Sequence, residues 1–291
     1  MPTEIIKFKA KDGIILDGFI NKCKNPSDKV LIAVHGMTSN CFKVREKIIA
    51  KAIETIGIDT MHFNNRGSDV IRYIKNDEES FLGGTAYEDV EDGYYDIVGA
   101  IEYAISLGYK DIYLQGHSLG STKVVYTCNK LIDDNNPIYS YIKGIILLSL
   151  VDLPESIKMD TTKEFIKIAV EMEAKGEELE LMPKETFVHP ISVKTFLRYV
   201  RNYENVDFAR FSNKEDNFEV LNKIQIPLFM RWGNVNEMIS QSADELVDFL
   251  DHKIIKTKKD IGYIDGADHS YSGKEEILAE EIKQFIIKYN N

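Results

Sequence analysis

Ile112-Tyr113-Leu114-Gln115-Gly116-His117-Ser118-Leu119-Gly120-Ser121 is the stretch on which the reading of this chain turns. An apolar run ends, a Gly-x-Ser-x-Gly follows, and a helical pattern begins at once, so a strand meets a helix through a sharp turn. Gly116 and Gly120 lack side chains, which lets strand and helix close tightly around Ser118. The serine hydroxyl is then presented at the top of a strand, above a helix N-terminus. With 18 glycines in 291 residues, a shuffled chain would carry such a pentapeptide roughly once in twenty. The motif alone is therefore weak, and its surroundings must decide whether Ser118 is a nucleophile.

Those surroundings alternate. Ile5 to Lys9 and Ile14 to Ile20 read as two strands joined by the turn Lys11-Asp12-Gly13. Val30 to Val34 is a continuous apolar run, as expected for a strand buried on both faces of a parallel sheet. It leads into His35-Gly36-Met37, a small turn where backbone N–H groups can gather around a developing negative charge. Helical spacing over Cys41 to Ile56, a strand over Ile58 to Phe63, and a long helix from about Thr85 to Leu107 precede the elbow. The acidic residues of that long helix (Glu88, Asp89, Glu91, Asp92 and Asp96) read as a solvated face, with Asp89 or Asp92 as possible partners of Arg66. Further buried strands are expected over Gly144 to Leu150, Ile224 to Met230 and Lys259 to Ile264. A helix from Ser240 to about Leu250 and a final one from Lys274 to Tyr289 complete the alternation. Such a pattern implies an α/β fold with a mostly parallel central sheet and helices on both faces.

Residues 153–217 break the pattern, with two helical segments (Thr162 to Lys175, Ser192 to about Asn202) and no buried strand. The expected division is a core of residues 1–152 and 218–291 carrying a helical cap over residues 153–217. Phe165, Phe187, Phe196 and Tyr199 in the cap fit core packing better than a pocket lining. His189, followed by Pro190, reads as a structural residue.

Composition narrows the function. A net charge of −11 argues against nucleic acid or an anionic membrane as partner. No stretch is apolar for the 18 or so residues a membrane span needs. Met1-Pro2-Thr3-Glu4 lacks a signal-peptide pattern, and Cys23, Cys41 and Cys128 make neither a disulfide framework nor a zinc motif. A cytoplasmic setting is expected; the oligomeric state is not readable.

Ser118 after a middle strand, an acid-bearing loop after a later one, and His269 after the last strand stand in the order serine, acid, histidine. Here the chain resembles the α/β-hydrolase family. Gly116-His117-Ser118-Leu119-Gly120 is similar to its elbow, His35-Gly36-Met37 to its oxyanion loop, and Gly266-Ala267-Asp268-His269 to the loop bearing its histidine. Asn65-Arg66-Gly67, Gly83-Gly84, Lys123-Val124-Val125 and Phe211-Ser212 resemble a siderophore-esterase-like and feruloyl-esterase-like branch.

The resemblance implies a serine hydrolase acting on esters of small or medium molecules, with no metal and no organic cofactor. Ser118 would be the nucleophile and His269 the base, with Met37 and Leu119 N–H groups holding the oxyanion. His117 would pack inside the elbow. The acid departs from the family pattern, because Asn236 occupies the position where an aspartate is usual. Glu237, Asp152 and Asn236 are the three candidates, taken in that order. Acyl transfer through the same acyl-enzyme, or a non-catalytic binding protein on this fold, are the competing functions.

Overall fold

The apolar runs become the middle of a twisted sheet in the computed structural model, which describes residues 2–152, 155, 163–202 and 210–289. The strands are β1 (Thr3–Lys9), β2 (Ile15–Asn21), β3 (Lys29–Val34), β4 (Asp59–Phe63), β7 (Asp111–His117), β8 (Ile142–Leu148), β9 (Leu228–Gly233) and β10 (Lys259–Ile264). They lie side by side in the order β1-β2-β4-β3-β7-β8-β9-β10. Pairing is antiparallel from β1 through β2 to β4 and parallel from β4 onward. The chain runs outward from β3 to β4 and then returns to the other side of β3 with β7. That reversal opens a crevice at the carboxyl ends of β3 and β7, where ligands of such sheets bind. The His35 turn and the Ser118 elbow both sit there.

Two apolar layers flank the sheet. On one face α2 (Gly93–Ser106), α3 (Leu119–Asp133) and, later in the chain, residues Ala243–Lys253 bury Ile97, Val124, Leu131 and Leu246 against Ile32, Leu114 and Met230. On the other, α1 (Val44–Glu54) and the C-terminal helix Glu275–Tyr289 bury Ile49, Ile53, Ile282 and Phe285 against Leu31, Ile146 and Phe229. Residues within 153–217 add α4 (Lys163–Glu173) and α5 (Val193–Asn202). A single turn α6 (Glu219–Asn222), α7 (Ala243–Lys253) and α8 (Glu275–Tyr289) follow. The expected start of the first cap helix at Thr162 lies outside the described residues. Phe196 and Tyr199 are buried in an apolar cluster with Ala169, Met182, Val90 and Leu119, and Phe165 and Phe187 pack against it.

Two expectations for the long helix are overturned. It is preceded by a hairpin, β5 (Arg72–Lys75) with β6 (Ser80–Gly83). The long helix does not begin at Thr85. Residues 84–89 form a loop tied to other segments: Thr85 N–H donates to Asp69 O at 3.1 Å, Ala86 N–H to Val70 O at 2.9 Å, and Thr85 Oγ1 to Gly67 O at 2.9 Å. Those tertiary bonds outweigh the helical spacing, and the regular helix starts at Gly93 after one 3₁₀ turn.

Nor is the acidic face solvated. Asp96 is fully buried and takes Arg66 through its backbone N–H (2.7 Å), Nε (3.0 Å) and Nη2 (2.8 Å). Asp12 adds 2.8 Å to Arg66, Asp92 stands off at 3.6 Å, and Asp89 pairs with Lys194 instead. Glu88 meets Lys123 at 2.6 Å with both side chains 1% exposed, and Lys123 also reaches Asn65 Oδ1 at 3.3 Å. Burial pushes the Glu88 carboxyl upward although the Lys123 charge opposes it. Removing one member of such a pair strands the other charge. Lys123→Met is expected to lower the unfolding free energy by about 3–5 kcal/mol. Lys123→Met with Glu88→Leu should recover most of that loss, as read by urea unfolding of both variants.

Candidate active site

The elbow has the geometry its glycines permit. Ser118 has φ 54° and ψ −128°, an unusual conformation for a residue with a side chain. A Cβ on Gly120 would stand 2.2 Å from Val34 O and one on Gly116 2.4 Å from Ser121 Cα, so any side chain would force strand and helix apart. Backbone bonds close the turn: Ser118 N–H donates to Leu148 O at 2.8 Å and Ser121 N–H to Ser118 O at 2.8 Å. Ser118 is half-buried at the floor of a cavity of about 420 Å³ whose walls include Gly36, Met37, Arg45, His117 and His269.

The loop after β3 is held on two sides. A Cβ on Gly36 would meet Ser118 Cβ at 3.0 Å and Leu119 N at 3.3 Å, so this loop touches the elbow directly. His35 Nδ1 donates to Gly36 O at 3.0 Å, and Asn65 N–H donates to His35 Nε2 at 3.2 Å. Burial lowers the His35 pKa to about 3, so the ring is neutral and this one tautomer satisfies both bonds. Thr38 N–H donates to Thr85 Oγ1 at 2.8 Å. The buried Lys123–Glu88 pair reaches the same loop through Asn65.

His269 follows β10 and half-emerges into the cavity. Its Nδ1 hydrogen-bonds Glu237 Oε1. Glu237 Oε2 accepts from Ser149 Oγ at 2.7 Å and from Gly233 N–H at 3.0 Å, and Oε1 accepts from Met238 N–H at 2.9 Å. The Glu237 side chain is only 3% exposed. Burial alone would raise its pKa; the His269 hydrogen bond and charge, with the Gly233 and Met238 amides, outweigh burial and hold it below the ordinary glutamate range. The two loops are stitched together: Asn234 and Val235 N–H groups donate to Ala267 O at 3.1 and 3.0 Å, and Gly266 N–H to Asn234 Oδ1 at 2.8 Å. A Cβ on Gly233 would lie 2.3 Å from Ala267 O, so only glycine allows this approach.

The other two acid candidates are elsewhere. Asn236 is exposed with φ 50°, a left-handed turn position that asparagine tolerates. Asp152 is buried at the end of the β8 connection but accepts from Ser212 N–H at 2.8 Å and Ser212 Oγ at 2.6 Å, and from Glu155 N–H at 3.2 Å. It ties Glu155 and Ser212 to the end of the β8 connection and is not on His269; the turn at Asn236 aims Glu237, not Asp152, at the ring.

His117 packs inside the elbow, buried, with Nε2 2.8 Å from His269 O and the two rings 5.0 Å apart. A carbonyl only accepts, so Nε2 carries the proton. Burial, reinforced by the Arg45 charge, holds this ring well below its ordinary pKa and therefore neutral. Sequence reasoning missed Ser149 and Tyr271, which complete the Glu237 network. Ser149 lies in a left-handed turn (φ 47°), 3.0 Å from Tyr271 Oη, which donates to Arg231 O at 2.7 Å. No spacing rule links three residues on three separate loops. Among the described residues no three His, Cys, Asp or Glu side chains gather as a metal site, and no helix is long and apolar enough to cross a membrane.

Many solved structures resemble this chain. Est1E from Butyrivibrio proteoclasticus with bound ferulic acid matches at TM-score 0.66 and 19% identity, over 97% of this chain and 98% of that one. The α/β hydrolase GrgF from a Penicillium species matches at 0.68 and 15%, over 100% of both chains. An esterase of Pyrococcus furiosus matches at 0.61 and 15%, over 99% and 91%. The chain has the α/β-hydrolase fold. No family model and no curated protein sequence matches it. In the α/β-hydrolase fold the elbow, the loop after β3 and the loop after the last strand converge at one sheet edge, as they do here.

The depressed Glu237 pKa has a stability consequence. Its ionised form contributes stability above the ordinary glutamate pKa, and that contribution is lost as pH falls through the lower folded value. The unfolding free-energy gap between wild type and Glu237→Gln is expected to be on the order of 1–3 kcal/mol at neutral pH. It should shrink below pH ~4. Chemical unfolding across that range tests this, and a gap independent of pH would contradict it.

Proposed function

We propose that this protein is a serine hydrolase that cleaves carboxylic esters of small or medium molecules through an acyl-enzyme on Ser118. The observation that carries the reading is the Glu237 carboxylate on His269 Nδ1. It selects the tautomer whose Nε2 lone pair is available as a base, in the cavity that Ser118 also lines. Ser118 Oγ attacks the ester carbonyl carbon while His269 Nε2 takes the hydroxyl proton. The tetrahedral oxyanion is held by the N–H groups of Met37 and Leu119. It collapses, the ester C–O bond breaks, and His269 returns the proton to the departing alcohol. Water, deprotonated by His269, then cleaves the acyl-enzyme to the carboxylic acid and free Ser118. Glu237 stabilises the imidazolium formed in both halves. No step calls for a metal or an organic cofactor.

The structural neighbours support the reaction class, since two carry esterase or hydrolase in their names. Ferulic acid on Est1E makes aryl esters the first substrates to test. Residues 153–217 are proposed as a cap, supported by the α4–α5 cluster that packs over Leu119 and against Met37. The three cysteines are free thiols, which fits a reducing compartment. The non-catalytic alternative drew on Asn236 in place of the usual acid; with Glu237 on the base that motive falls away.

Turnover of p-nitrophenyl acetate and methyl ferulate tests the proposal. Ser118→Ala and Glu237→Gln are each expected to lower kcat about 10⁴-fold. Asp152→Asn should leave kcat within about tenfold of wild type. Equal turnover by wild type and Ser118→Ala would refute the assignment, and a loss confined to Asp152→Asn would move the acid there.

A further inference from the structure

A second cleft lies beside the first, on the outer side of the N-terminus of α1. Its volume is about 570 Å³, larger than the cavity at Ser118, and it meets that cavity at Lys43 and Val44, which line both. Nothing in the proposed reaction uses it.

Its surface is aromatic at the centre and cationic along one rim. Phe42, 71% exposed, stacks on Phe19 with ring centroids 5.5 Å apart and planes at 20°. Phe19 in turn lies on the His62 imidazole at 5.0 Å and 26°. Val44, 68% exposed, extends the apolar area. Large exposed apolar groups that cluster, as Phe42 and Val44 do over Phe19, mark a binding surface. Below the stack His62 is 2% exposed, and neither of its ring nitrogens has a hydrogen-bond partner among the described residues. The polar side chains at the far wall are already engaged: Thr3 Oγ1 donates to Asn21 Oδ1 at 2.9 Å, and Asn21 Nδ2 to Thr60 Oγ1 at 3.2 Å.

The rim is built by helical spacing. Lys43, Lys47 and Lys51 are four residues apart, so they form one stripe along α1, and all three are exposed. None of them is in an ion pair with another described residue. The acidic group nearest in the wall, Glu46, is occupied by Arg45 Nε and Nη2 at 3.0 and 2.7 Å and by Gln115 Nε2 at 2.5 Å. In a chain of net charge −11, three unneutralised ammonium groups around an aromatic surface make a local site of the opposite sign.

We infer that this cleft binds an amphipathic organic carboxylate, an aryl or alkyl acid whose hydrocarbon body lies on Phe42, Phe19 and Val44 while its carboxylate meets Lys43, Lys47 and Lys51. The charge favours an anion and the exposed rings a hydrophobic body, and neither feature alone would select such a ligand. The inference rests on the cleft and not on the ester-hydrolase reading, although acids of this class are what that reaction would release. It is a binding statement, so its failure would leave the turnover result untouched.

Titration calorimetry with 3-phenylpropanoate on the 291-residue chain tests it, with 3-phenylpropan-1-ol and inorganic phosphate as the uncharged and anion-only controls. The acid is expected to bind at least about tenfold more tightly than the alcohol, and phosphate not measurably. Phe42→Ala and the double variant Lys47→Glu with Lys51→Glu should each weaken the acid about tenfold or more. These residues are exposed and outside the walls of the Ser118 cavity, so folding and ester turnover serve as internal controls. Ring resonances of His62, beneath the stack, should shift on titration in wild type. Equal affinity for acid and alcohol, no binding of the acid, or affinity unchanged in both variants would overturn the inference; the last result would place the acid in the catalytic cavity instead.

Discussion

The arrangement at the top of the sheet depends on one buried carboxylate. Glu237 accepts from Ser149, Gly233 and Met238 as well as engaging His269. Those partners follow three adjacent parallel strands, β8, β9 and β10. A carboxylate taken out of water needs its lone pairs filled, and here they are filled only when the three strand ends are in register. The price of desolvation is thus converted into geometry: the ring of His269 is tethered through Nδ1, in a cavity that Ser118 also lines. Gly233 makes the close approach to Ala267 possible, and the left-handed turn at Asn236 directs the next side chain inward.

A second buried charge system organises the other half of the site. Lys123 and Glu88 meet directly in the interior, and their neighbour Asn65 joins them to His35, while Thr85 receives the Thr38 amide. The loop after β3 is therefore braced from beneath by an ion pair and from the side by a hydroxyl. Between the two systems stands the elbow, whose strained Ser118 is held by backbone bonds to β8 and to its own helix. His117 links the elbow to the loop after β10 through the His269 carbonyl. Each side chain assigned a chemical role is thereby supported by groups that take no part in the chemistry, which is how preorganisation is built.

What the sequence disclosed follows the range of the forces involved. The buried strands were legible because a strand covered on both faces reads as an unbroken apolar run, as Val30 to Val34 does. The elbow and the loops bearing His35 and His269 were legible because their turns demand particular residues. The acid was legible only as a choice of three, since the direction of the turn at Asn236 decides whether Glu237 reaches the ring, and no local pattern records that direction. The start of the long helix was misread because Thr85 and Ala86 bond to distant loops, which no local periodicity records. The acidic face was misread for the same reason: the partners of Glu88 and Asp96 are Lys123 and Arg66, 35 and 30 residues away. The cleft over His62 is assembled from β1, β2, β4 and α1, and only its lysine spacing can be read along the chain; the stack of Phe42, Phe19 and His62 cannot.

The contact between Glu237 and His269 is open to direct observation by proton NMR of the imidazole N–H groups. A ring proton shared between Nδ1 and a buried carboxylate resonates far downfield of ordinary imidazole protons. Wild-type protein is expected to show one such resonance, retained in Asp152→Asn and absent from Glu237→Gln and His269→Gln. A downfield proton that survives in Glu237→Gln but disappears in Asp152→Asn would contradict the account and give His269 a different carboxylate.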